Sequence, residues 1–152
     1  MSTKDRLMEL GLTLPPPPEP AGAYTRAVRV GELVFVAGQL PVVDGEVVFG
    51  GKVGGEVSVD EGYQASRLCA LNALSILEAE AGGLDHIARI VRLTGFVCSA
   101  DGFTQQAAVV NGASELMAEV FGQRGVHARL AVGVVGLPLG AAVELEVIAQ
   151  TG

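Results

Sequence analysis

The chain has 152 residues, the length of one ordinary domain and enough to bury most of its apolar surface without staples. Hydrophobic residues at 49% against charged residues at 18% exclude a disordered chain, and the apolar surplus points to a subunit interface. A net charge of −7, no tryptophan and only 5% aromatics disfavour nucleic acid as a partner, because phosphates are repelled and bases find no stacking platform.

Residues 1–20 read as an N-terminal arm. "TKDRLMELG" attempts a short helix that Gly11 stops. "PPPPEP" follows as a stiff polyproline spacer that cannot donate to a sheet. The arm is expected to pack on a single domain spanning residues 21–152. It lacks the long apolar run of a signal peptide, and no stretch of the chain reaches the roughly 18 uncharged apolar residues of a membrane span. The expectation is a cytoplasmic protein with no membrane partner.

"AVRVGELVFVAGQLPV" predicts a β-hairpin around Gly31-Glu32, a two-residue turn with glycine first, as type II′ requires. Val34 and Val36 then share one face, with Leu33, Phe35 and Ala37 on the other. "VVDGEVVFGG" predicts a second hairpin on Asp44-Gly45, a type I′ pair. "GGKVGGEVS" is a glycine-rich connection without the residue order of a phosphate loop.

"VDEGYQASRLCALNALSILEAEAGG" predicts a long helix with Asp60 as N-cap and Gly82-Gly83 as its stop. Leu68, Leu71, Leu74 and Leu77, flanked by Ala65, Ala70, Ala73 and Ile76, give it a broad apolar face. "IARIVRLTGFVCSA" predicts a strand with Ile90, Arg92, Thr94 and Phe96 on one face and Val91, Leu93 and Val97 on the other. "DGFTQQAAVVNGASELMAEVFGQRG" predicts a second helix, with Val109, Met117, Val120 and Phe121 apolar and Gly125 ending it. "GVHARLAVGVVGLPLGAAVELEVIAQ" supplies two final strands. The sum is an α+β fold: a six-stranded mixed sheet with two helices on one face. Its other face is too apolar for solvent and is expected to meet other copies of the chain.

Cys69 and Cys98 fit no metal-ligand spacing and read as buried, reduced thiols. No metal or other cofactor is expected. The charges in the last hairpin are more telling. His127 and Arg129 share a strand face with Ala131 and Gly133, so small residues leave a hollow beside a guanidinium, which can grip a planar carboxylate with two parallel hydrogen bonds. Glu144 and Glu146 share a face of the last strand, and a carboxylate in partly apolar surroundings suits general acid/base work. The alternative is structural: Arg129 pairs across the sheet with one of these glutamates.

Three segments together resemble the Rid (reactive intermediate deaminase), or YjgF, family: "AGAYTRAVRVGELVFVAGQLPV", "VVNGASELMAEVFG" and "ARLAVGVVGLPLGAAVELEVIA". The likeness spans about residues 20–150, and its most specific part is Arg129, Leu137-Pro138 and Val143-Glu144-Leu145-Glu146. It implies a chorismate-mutase-like fold and a homotrimer with a small-molecule site in each cleft between subunits. The implied activity is cofactor-free hydrolysis of reactive enamines and imines, such as 2-aminoacrylate, to 2-keto acids and ammonia. By the same resemblance Arg129 grips the substrate carboxylate, Glu144 positions or activates water, Tyr24 and Asn111 line the cleft, and the Gly38 backbone faces the ligand.

Departures mark a divergent branch. Ala37 stands where the family usually has Ser or Thr, Ala131 where Cys is frequent, Gly133 where Glu is common, and His127 where a Pro-like residue is usual. The partner implied is a small imino, amino or 2-keto acid. A binding protein for a small carboxylate that catalyses nothing is the alternative. The ribonuclease activity assigned to some relatives conflicts with the charge.

Overall fold

Two short hairpins follow the N-terminal arm, and their turn residues set them. The computed structural model describes residues 1–152. Strands β1 (Ala27–Val30) and β2 (Leu33–Gln39) pair antiparallel, with Val30 opposite Leu33, so Gly31-Glu32 is the whole turn. Gly31 has φ 59° and Glu32 is not left-handed, as type II′ needs. Strands β3 (Val42–Val43) and β4 (Glu46–Val47) flank Asp44 (φ 52°) and Gly45 (φ 81°), the two left-handed residues of a type I′ turn.

The remaining elements are helix α2 (Val59–Ala81), strand β5 (Ile87–Cys98), helix α3 (Gln106–Phe121) and strands β6 (Ala128–Val134) and β7 (Val143–Thr151). The main sheet has the order β1-β2-β7-β5-β6, antiparallel throughout except for the parallel β5–β6 pair. It therefore has five strands rather than the expected six. Strands β3 and β4 form a separate two-stranded ribbon. Pro41 has no N–H with which to continue the β2 ladder, and Asn72 on α2 donates its amide to the carbonyls of Leu40 and Val42 at 3.0 and 3.1 Å. These bonds hold the ribbon against the helix.

A third helix, α1 (Thr3–Glu9), lies in the arm. A reciprocal capping box between Ser2 and Asp5 starts it. Thr3 donates backbone and hydroxyl to Asp85 at 2.8 and 2.6 Å, Arg6 Nε donates to the Glu119 carbonyl at 2.7 Å, and Leu7 is buried. The polyproline spacer is tied to α2 by Ser75 Oγ, which donates to the Pro15 carbonyl at 2.5 Å.

The N-cap of helix α2 lies two residues before Asp60. Ser58 is the N-cap and forms a capping box with Glu61, while Asp60 sits inside the first turn. In β5, Ile90 is buried beside Leu93 rather than sharing a face with Arg92, because the pairing with β7 shifts register between Ile90 and Arg92 and moves Ile90 to the core side.

Helices α2 and α3 cover one sheet face, where Val34, Val36, Leu93, Val97, Leu145 and Val147 are buried. The other face carries Val28, Val30, Leu33, Phe35, Leu130 and Val132, all exposed. The two helices approach very closely where Gly112 of α3 meets α2. A Cβ there would lie 2.0 Å from the Tyr63 carbonyl oxygen, and Ser66 Oγ accepts from Ala113 N and donates to the Val109 carbonyl at the same crossing.

Gly112→Ala forces that backbone contact apart. The expected cost is about 1–3 kcal/mol of stability, as for other overpacked cores, read as a lower denaturant midpoint by circular dichroism. A midpoint equal to wild type would contradict the close crossing.

Candidate functional site

Arg129 lies on β6 in register with Leu93 of β5, which is in register with Val147 of β7. That row faces the helices, so the side chain of Arg129 rises toward α3. Its Nη1 donates to Asn111 Oδ1 at 2.7 Å and to Ser114 Oγ at 3.2 Å, and its Nη2 to the Ala107 carbonyl at 3.4 Å. Asn111 and Ser114 are three residues apart and so share one face of α3. These three bonds leave Nε–H and one Nη2–H of the guanidinium without a partner in the chain, two donors available to a carboxylate.

The structural alternative fails. The ion pairs of the fold are Arg6–Glu9, Arg26–Glu80 and Arg67–Glu119, and Arg129 takes part in none. Geometry excludes the cross-sheet pair as well. Glu144 is in register with Phe96, which is in register with Val132, and this row occupies the uncovered sheet face. Arg129 and Glu144 therefore stand on opposite faces of one sheet.

Glu144 has its own neighbour. A register shift in the β2–β7 pairing between Val36 and Gln39 brings Gly38 against it, and a Cβ on Gly38 would lie 2.5 Å from Glu144 Oε2. The bare glycine backbone thus gives the carboxylate its place. Half-buried Glu144 accepts no hydrogen bond within the chain that would offset its burial, and burial pushes its carboxyl above the ordinary glutamate value.

Tyr24 lies in the loop before β1, at the sheet edge opposite β6, and is 53% exposed. Its hydroxyl accepts from Ala21 N at 3.3 Å. The following Arg26 carbonyl accepts from Ala37 N, which ties this loop to the strand carrying Gly38. The five residues singled out in the sequence thus divide. Arg129 and Asn111 are bonded to each other, Gly38 and Glu144 touch, Tyr24 stands over the β1–β2 side, and one chain does not bring the two groups together.

One member of the site escaped the sequence reading. Ser114 bonds both Arg129 and His127, whose Nε2 lies 2.9 Å from its Oγ. The signal was the Asn-x-x-Ser spacing on α3 above a His-x-Arg strand, two periodicities that each put their residues on one face. No group of three or more His, Cys, Asp or Glu side chains converges on a common point.

A family model described as YjgF/chorismate mutase-like, with an endoribonuclease label, matches residues 4–150. The chain is 44% identical over 145 residues to protein TCP17 of Trypanosoma cruzi, covering 95% of this chain and 91% of that protein. It is similar to the crystal structure of Atu1372 from Agrobacterium tumefaciens, a protein of unknown function, with 41% identity, a TM-score of 0.90 and coverage of 99% of this chain and 92% of that one. It also resembles TdcF of E. coli, crystallised with bound serine, at 25% identity and a TM-score of 0.66, covering 89% and 93% of the two chains.

The raised carboxyl of Glu144 has a consequence for stability. Between the unfolded and the folded titration points the folded chain binds the extra proton, so stability falls as pH rises. The contribution is present in full below the unfolded value and is lost as pH climbs through the folded one. Glu144→Gln cannot titrate, so its stability relative to wild type should increase between about pH 4 and pH 7 in equilibrium unfolding. A difference that stays constant with pH contradicts the burial of this carboxyl.

Proposed function

The chain belongs to the YjgF/chorismate mutase-like family, and on that premise we propose that it hydrolyses small reactive imino acids to 2-keto acids and ammonia in a cleft between subunits of a homotrimer. The observation that carries this reading is the unpaired guanidinium of Arg129, held by neutral acceptors with two donors available to a carboxylate. A cation so held is prepared for an anionic ligand rather than spent on a structural pair. The serine bound by TdcF carries a carboxylate that such donors would fit.

Assembly supports the same reading. Arg129 with Asn111, and Gly38 with Glu144, occupy opposite faces of one sheet, so a cleft that uses both needs a second copy of the chain. The exposed apolar residues of the uncovered face, Phe35 and Val132 among them, supply surface for that contact.

The chemistry follows from the groups available. Arg129 fixes the substrate carboxylate, which orients the adjacent C=N carbon. Glu144 of the facing subunit accepts a proton from water as the water oxygen bonds to that carbon, giving a tetrahedral carbinolamine. Glu144 then passes the proton to nitrogen, the carbinol hydroxyl gives up its proton to the freed carboxylate as C=O forms and the C–N bond breaks, and ammonia and the 2-keto acid leave. No redox change occurs, and positioning with general-base help supplies the rate. Burial of Glu144 brings its basicity closer to neutrality, where a general base works best.

A second reading has its own observation. Ala37 and Ala131 leave no hydroxyl or thiol at positions beside Gly38 and Arg129, which fits a protein that holds a small carboxylate without turning it over. The endoribonuclease label of the family is disfavoured by the net charge of −7.

With 2-iminobutanoate or 2-iminopropanoate generated in a coupled assay, wild type should accelerate keto-acid formation above buffer. Arg129→Ala should raise KM, and Glu144→Gln should lower kcat by about 10²–10⁴. In wild type kcat/KM should rise with pH through a point above the ordinary glutamate value, and Glu144→Gln should lose that limb. No rate above buffer, with Arg129-dependent thermal stabilisation by 2-keto acids, would support binding alone.

A further inference from the structure

His127 and Ser114 have no part in the reaction as derived, yet they are among the most constrained side chains beside Arg129. His127 Nδ1 lies 2.6 Å from the Gly125 carbonyl, which can only accept, so Nδ1 carries the proton. In the neutral ring Nε2 is then an acceptor. Ser114 Oγ lies 2.9 Å from it, so the Ser114 hydroxyl donates to Nε2 and its lone pairs turn the other way. One of them meets Arg129 Nη1 at 3.2 Å. The chain of contacts thus runs in one direction: carbonyl, imidazole, hydroxyl, guanidinium.

We propose that His127 and Ser114 are positioning residues for Arg129, a relay in which the imidazole fixes the hydroxyl proton and the hydroxyl fixes the guanidinium with its available donors facing outward. The inference rests on the carboxylate-anchoring role of Arg129. Ser114 and His127 have the look of a nucleophile and its base, but the Ser114 oxygen already accepts from Arg129, which draws its electron pair away from attack. Asn111 holds the same Nη1 from one helical turn away, so the two α3 residues clamp one nitrogen from two directions.

Two measurements test this on the full chain. The first needs no ligand: the Nη1–H resonances of Arg129, assigned by their loss in Arg129→Ala. They should be resolved and slow to exchange in wild type, averaged in Ser114→Ala and in His127→Phe, and restored in Ser114→Thr, which keeps the hydroxyl. The second is calorimetry with sodium 2-oxobutanoate. Affinity should fall about ten-fold in Ser114→Ala, the effect of one misdirected hydrogen bond to a charged group, and Ser114→Ala should add nothing in the Arg129→Ala background. An Arg129 resonance unchanged in Ser114→Ala and His127→Phe overturns the relay, as does an equal loss of affinity with and without Arg129. If the resonance behaves as expected but Arg129→Ala binds 2-oxobutanoate as tightly as wild type, the relay stands and the anchoring role of Arg129 falls.

Discussion

Strand alternation governs what a single copy of this chain can assemble. Along β6, residues 129, 131 and 133 face the helices, and the residues between them face away. Along β7 the buried Val143, Leu145 and Val147 take the helix side, so Glu144 and Glu146 take the other. Only the odd-numbered rows of both strands are covered by α2 and α3. A cation and a carboxylate from these two strands are thereby kept apart by the thickness of the sheet. The same parity that builds the core divides the polar groups into two halves, each complete locally and neither sufficient alone.

Each half is built by a different local device. On the Arg129 side the strand contributes small residues, and the helix above contributes the acceptors: Asn111, Ser114 and the Ala107 carbonyl. On the Glu144 side an irregularity in strand pairing delivers Gly38, and the absence of a side chain there leaves room for the carboxylate. Polarity near Arg129 therefore resides mainly on α3, while the strand has Ala131 where the resemblance would have put a Cys.

Much of this was legible in the sequence because it depends on short-range rules. The hairpin turns at Gly31-Glu32 and Asp44-Gly45 formed as their glycines required, and the apolar positions expected on α3 are buried, whereas on α2 Leu74 and Leu77 are buried and Leu68 and Leu71 only partly so. The family likeness held as well. What escaped was set by tertiary contact. Asn72 drew the β3–β4 ribbon away from the main sheet, a register shift turned Ile90 inward, and Ser58 rather than Asp60 closed the capping box. The partition of Arg129 from Glu144 needed the register of β5 against both neighbours, which no single strand contains. Ser114 was missed because its meaning depends on which helix face lies over β6.

The tight crossing at Gly112 bears on how any ligand would be held. Gly112 sits between Asn111 and Ser114 in α3, and its Cα is pressed against the backbone of α2 with no side chain to give way. The helix cannot slide or roll there without breaking the bonds at Ser66. The acceptors around Arg129 are thus fixed before a ligand arrives, and their loss of conformational freedom is charged to folding rather than to binding. An anion entering this site would meet a rigid guanidinium, so its affinity would depend on shape and desolvation far more than on the ordering of the protein.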